Sequence, residues 1–142
     1  MDFRVDFEAL VRAAGDAVVA ADPEGRIRFW NPAAQRIFGF TAEEALGRSL
    51  DLIIPERFRA RHWAGYREVT RTGQTRYGTD VLRVPATGKD GRRLSIAFTV
   101  TLLRAPDGRV AGIAAIVRDE TRRWDEEQAL RRRLAELEGR PG

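Results

Sequence analysis

The sequence predicts an α+β domain in which one antiparallel sheet carries its helices on a single face. Three observations lead there. Leu94, Ile96, Phe98, Val100 and Leu102 alternate with Ser95, Ala97, Thr99 and Thr101, and a period of two is the mark of a half-buried strand. Three stretches with helix punctuation follow one another between residues 31 and 73. Strand-like segments lie on both sides of them, so the order reads β-β-α-α-α-β-β-β, a pattern that segregates helices onto one side of an antiparallel sheet.

Each element has a local reason. Phe3, Phe7, Leu10 and Val11 recur at helical spacing, so residues 3–14 read as a short amphipathic helix. Asp16 to Ala21 is apolar, Asp22-Pro23-Glu24-Gly25 is a turn, and Arg26 to Trp30 alternates, which together make a β-hairpin. Asn31-Pro32 caps a helix through Ile37 and Phe38 that stops at Gly39. Thr41-Ala42-Glu43-Glu44 is a capping box, and its helix ends by Gly47. Leu50 to Ile54 suits one helical turn. Pro55 opens a longer helix to Thr72, closed by Gly73, with Phe58, His62, Tyr66 and Val69 on one face and Trp63 beside them. Gly78 to Ala86 reads as a strand ending at Pro85. The turns Lys89-Asp90-Gly91 and Pro106-Asp107-Gly108 then bracket the long strand and return the chain into Val110 to Arg118. From Thr121 the chain is charged and helical, with Leu130, Leu134 and Leu137 in coiled-coil spacing, and Gly139 to Gly142 reads as a frayed or cut end.

Composition narrows the function. The 142 residues suit one domain, of 43% hydrophobic and 32% charged residues. There is no cysteine, so disulfides, thiolate metal sites and cysteine nucleophiles are excluded, and His62 is the sole histidine. The formal charge of +4 comes from basic residues mostly interleaved with acids, which describes a solvated surface rather than a nucleic-acid face. No apolar run reaches the ~18 residues of a membrane span, and Met1-Asp2-Phe3-Arg4 does not open a signal peptide. A cytoplasmic protein with no membrane segment here is expected. Phosphate loops, a GxSxG elbow and acid–base pairs at useful spacing are missing, so the domain is not read as an enzyme.

Four segments together resemble the PAS sensory domains of bacterial sensor histidine kinases. They are Asp22-Pro23-Glu24-Gly25-Arg26-Ile27-Arg28-Phe29-Trp30-Asn31-Pro32-Ala33-Ala34, Phe38 to Gly47, Lys89-Asp90-Gly91-Arg92-Arg93, and Val117-Arg118-Asp119-Glu120-Thr121. The resemblance covers roughly residues 8–121. It implies a five-stranded antiparallel sheet whose concave face, under the helices, encloses a small molecule or cofactor. Flanking helices then carry the signal to an output module such as a histidine kinase. The organisation expected is a flanking helix over 1–14, the PAS domain over 15–120 and a signalling helix or linker over 121–142, with a homodimer formed through the flanking helices.

The resemblance also assigns candidate residues. The pocket is expected from Phe58, His62, Trp63 and Tyr66 on the long helix and from Ile96, Phe98 and Val100 on the long strand. At the junction, Asp119 is expected to pair with Arg26 or Arg28, and Thr121 to cap the outgoing helix. Glu120 departs from the aliphatic residue common there. Arg83, Arg76 and Tyr77 are a second group, suited to a carboxylate. No cofactor is required. Haem is the alternative, because a neutral imidazole is a good axial ligand and the region is similar to rhizobial oxygen sensors. The ligand position in those sensors falls near Arg76, which cannot bind iron, so a haem here would use His62 in another pose. The cysteinyl-flavin branch is excluded with cysteine. A ligand-free dimerisation scaffold is the remaining alternative.

Overall fold

The computed structural model describes residues 2–139, so Arg140 to Gly142 of the expected frayed end lie outside them. A capped helix α1 (Phe7–Ala13) leads into β1 (Ala17–Ala21) and β2 (Ile27–Trp30). Then come α2 (Pro32–Phe38), α3 (Ala42–Ala45), a 3-10 turn (Leu50–Ile53) and α4 (Glu56–Thr72). The strands β3 (Leu82–Thr87), β4 (Arg93–Arg104) and β5 (Val110–Asp119) precede the long helix α5 (Thr121–Glu138). The five strands form one antiparallel sheet in the order β2-β1-β5-β4-β3.

The caps of α2 and α3 behave as the sequence predicts. Asn31 caps α2, Gly39 ends it with φ of 88°, and Thr41 and Glu44 form the reciprocal box at α3. Three boundaries differ. Gly78 to Val81 is loop rather than strand, and β3 continues through Pro85. The proline is tolerated because β3 is an edge strand, where a missing N–H leaves no ladder bond unmade. At the amino end the helix is shorter than 3–14, and its Phe7 and Leu10 are 71% and 59% exposed.

Register decides which side of β4 faces the helices. Leu94, Ile96 and Phe98 pair across the sheet with Ala86, Val84 and Leu82, and they point inward. Ser95, Thr99 and Thr101 therefore lie on the outer face. The core cluster joins Ala17, Val19, Ile27, Trp30, Phe38, Leu94, Ile96 and Val117, with the Trp30 and Phe38 rings 5.4 Å apart. It is roofed by α2, α3, the loop between them and the 3-10 turn, which supply Ile37, Phe40, Ala42, Leu50, Leu52 and Ile53. No residue of α4 belongs to it.

Candidate functional site

The helix α4 packs against β5 and the turn between β1 and β2, and it does so loosely. Phe58, His62, Trp63 and Val69 are only half-buried, and Tyr66 is the one buried residue of the helix. On the inner face of the sheet, Phe98, Val100 and Leu102 of β4, with Ile113 and Ala115 of β5, are also only half-buried. The same inward rows are buried at Leu94, Ile96 and Val117, under the other helices. The inner face is thus sealed at one end by a packed core and only partly covered toward the other.

Polar bonds hold α4 in that position. The Tyr66 hydroxyl donates to the Asp22 carbonyl at 2.6 Å, and the Trp63 indole N–H donates to Asp51 Oδ1 at 2.7 Å. Arg59 donates to the carbonyls of Ile54 and Asp51, and Arg104 to that of Gly73. The turn between β1 and β2 lies directly on the helix: a Cβ on Gly25, at φ +82°, would come within 2.1 Å of the Trp63 ring. His62 stands edge-on to Trp63 with centroids 4.7 Å apart, and 5.7 Å from Tyr66. Its Nδ1 is buried with no hydrogen-bond partner. Burial holds the His62 imidazole below its ordinary pKa, against a smaller opposite pull from Asp51, and burial raises the Tyr66 phenol.

Of the seven residues expected to form a pocket, His62, Trp63 and Tyr66 are brought together as one aromatic cluster. Phe98 and Val100 are half-buried on the inner face, Phe98 packed against the core, Phe58 is half-buried under the Arg57 guanidinium, and Ile96 belongs to the sealed core. A haem does not fit these side chains as they stand. Arg76 is exposed in the loop after α4, and a flat macrocycle at His62 would displace the rings already packed on it. Among the described residues, no group of three potential metal ligands is assembled.

The junction corrects the expected ion pair. Asp119 pairs with neither Arg26 nor Arg28: Arg28 binds Asp22 at 2.8 Å and Arg26 donates to the Gly47 carbonyl. The reason is local, since Asp22 sits in the same turn. Asp119 Oδ1 instead accepts from the backbone N–H and hydroxyl of Thr121. Nor does Thr121 cap the outgoing helix; it is the first residue of α5, and its Oγ1 accepts from the Ser95 N–H at 3.0 Å. With Glu120 N–H donating to the Ser95 carbonyl, the start of α5 completes the β4 ladder where β5 ends. Glu120, the departure noted in the sequence, binds Arg83 at 3.4 Å, which takes that arginine onto the outer face; Arg76 and Tyr77 lie in the exposed loop. The Arg93 guanidinium lies 4.1 Å over the Trp124 ring of α5. Sequence reading missed this contact, because only strand register brings residues 93 and 124 together.

The model of the PAS fold matches residues 11–125. The chain belongs to the PAS family. An uncharacterized protein of Azorhizobium caulinodans is 34% identical over 125 residues, covering 87% of this chain and 17% of that protein. The oxygen sensor protein DosP of Escherichia coli is 29% identical over 80% of this chain and 14% of its own length. The sensor protein FixL of Bradyrhizobium diazoefficiens is 28% identical over 92% of this chain and 25% of its own. The chain therefore spans a quarter or less of these relatives. Among solved structures, a PAS domain from Colwellia psychrerythraea superposes with a TM-score of 0.72 at 19% identity, covering 82% of this chain and 95% of that one. A sensory box histidine kinase/response regulator from Burkholderia thailandensis gives 0.66 at 21% identity, covering 94% and 98%. The PAS assignment and the five-stranded sheet expected from the four motifs agree with these findings. No helix among the described residues is long and apolar enough to cross a membrane.

Proposed function

We propose that this chain is the non-catalytic sensory module of a larger cytoplasmic signalling protein, with a histidine kinase as its output. Its recess, formed by Phe58, His62, Trp63, Tyr66, Phe98 and Val100 and floored at its sealed end by Ile96, takes a small and largely apolar molecule. Occupancy shifts the sheet slightly, and the ladder bonds from Ser95 to Glu120 and Thr121 carry the strain into α5. Two copies pair through their flanking helices, along Leu130, Leu134 and Leu137 and the exposed face of α1. Coupling worth about 1–3 kcal/mol suffices to set such an output.

The observation that supports this reading is the half-buried apolar stretch of the inner face at Phe98, Val100 and Leu102, flanked by a core that is fully sealed. Val100→Phe tests it. A recess accepts the larger ring at a cost under ~1 kcal/mol, whereas a filled core loses ~1–3 kcal/mol to overpacking. A thermal-shift screen with small acids and apolar metabolites should then find stabilisers of the parent chain that lose their effect on Val100→Phe. An absorption spectrum separates the alternatives: a Soret band that His62→Ala removes marks a haem sensor. A colourless protein that no compound stabilises and that tolerates no filling of the recess is a dimerisation scaffold.

A further inference from the structure

A groove opens outside the recess, along the edge strand β3, and has a volume of about 610 Å³. Pro55, Glu56 and Arg57 from the start of α4, Pro85 and Ala86 of β3, and Arg93 of β4 border it. Its two arginines share an unusual state. The Arg57 guanidinium lies 4.7 Å over the Phe58 ring, and that of Arg93 4.1 Å over Trp124. Stacking occupies the face of a guanidinium and leaves its N–H donors in the plane. Among the described residues, neither arginine makes an ion pair or a side-chain hydrogen bond, although Glu56 is adjacent. Two planar forks with unused donors, beside prolines and an alanine, match a planar anion attached to an apolar body.

Arg93 has a second role. It also borders the smaller cavity, about 160 Å³, that lies between α5 and the outer face of the sheet beside Trp124, Arg123 and Ser95. One side chain is thereby shared between the groove and the docked root of the output helix.

We propose that the groove binds a small carboxylate with an apolar body, held by Arg57 and Arg93, and that binding draws Arg93 off Trp124 and loosens the first turns of α5. The site is distinct from the recess under α4, and Val100→Phe reports on that recess separately. Linkage makes the coupling reciprocal: freeing Arg93 by removing Trp124 strengthens carboxylate binding.

The test is a titration of the whole chain with sodium benzoate at constant ionic strength, followed in proton–nitrogen NMR spectra with benzamide as the neutral control. The indole resonance of Trp124 is assigned by its loss in Trp124→Phe. We expect it to shift saturably with benzoate and not with benzamide, while those of Trp30 and Trp63, bonded to Phe40 and Asp51, stay in place. Arg57→Ala should weaken the midpoint about tenfold, the loss of a charge-assisted bond, and leave the ligand-free Trp124 resonance unmoved. Trp124→Ala should tighten the midpoint about two- to fivefold, read at the Ala86 amide, as release of a cation–π contact requires. A response equal for benzamide, no saturation, or an unchanged midpoint in Arg57→Ala overturns the site. An unchanged midpoint in Trp124→Ala overturns the coupling.

Discussion

Replacing Asn31 should damage this domain well beyond the loss of a helix cap. The residue is 1% exposed and its amide joins three elements. Oδ1 accepts from the backbone N–H of Val18 at 2.9 Å and of Ala34 at 3.0 Å. The amide nitrogen donates to the carbonyls of Val11 at 2.9 Å and Asp16 at 3.1 Å. One side chain therefore closes the start of β1, the end of α1 and the first turn of α2. Each such bond contributes about 1 kcal/mol net, and a buried group left unpaired costs 1–3 kcal/mol. Asn31→Ala should thus lose about 3–4 kcal/mol, a large part of the 5–15 kcal/mol typical of a domain. Asn31→Ser, which keeps a capping oxygen but cannot reach the other three groups, should recover about 1 kcal/mol of that loss. Asn31→Asp should keep both accepted bonds but set a carboxylate against two carbonyl oxygens, so it should be weak at neutral pH and regain stability in acid as the carboxyl becomes a donor. Urea denaturation followed by circular dichroism measures all three, with a constant slope confirming the two-state treatment. A loss below ~1 kcal/mol in Asn31→Ala, or an Asn31→Asp variant equal to the parent at neutral pH, would refute the reasoning.

Other perturbations have equally definite outcomes. Gly25→Ala combines a left-handed backbone with a clash on the Trp63 ring, so it should cost at least ~1–3 kcal/mol and raise the exchange rate of the Trp63 indole N–H; a neutral variant contradicts the close approach. Because burial depresses the His62 pKa below its ordinary 6.5, the unfolded chain binds the proton first. Stability conferred by neutral His62 is then complete above pH 6.5 and falls as pH drops toward the folded value, and His62→Phe should flatten that slope in urea midpoints taken across the window. Glu44, held down to about 2 by its hydrogen bonds from Lys89 and the Thr41 backbone, behaves in the same sense further into acid: its contribution is present above its ordinary 4.5 and is lost as pH approaches 2. Lys89→Ala should move the Glu44 titration upward in a carboxyl-carbon NMR titration. Leu130, Leu134 and Leu137 are 67%, 56% and 56% exposed; changing all three to Ser should leave the thermal midpoint of the PAS core within a few degrees and shift sedimentation toward monomer, while unchanged sedimentation excludes the leucine seam.

Much of this architecture was already present in local chemistry. Alternation in β4, the cap at Asn31, the box at Thr41 and Glu44, and the glycines after α2 and α4 are read within a few residues of one another, because propensity, capping and period are short-range properties. The four PAS segments lie in that same local chemistry, and so does the inward face of α4. Other features depended on contacts between residues far apart in sequence. The order β2-β1-β5-β4-β3 puts β1 beside β5, ninety residues or so along the chain, and nothing in either strand names the other. Register then turned Phe98 and Val100 onto the inner face, sent Ser95 to the root of α5, and set Arg93 on Trp124. Competition settled the ion pairs in the same way. Arg28 had an aspartate within its own hairpin, so Asp119 was left to organise Thr121. The sequence by itself determined the elements and the family. Which groups meet at the recess, the groove and the junction was decided by tertiary structure, because strand pairing brings side chains together across separations that local preferences do not span.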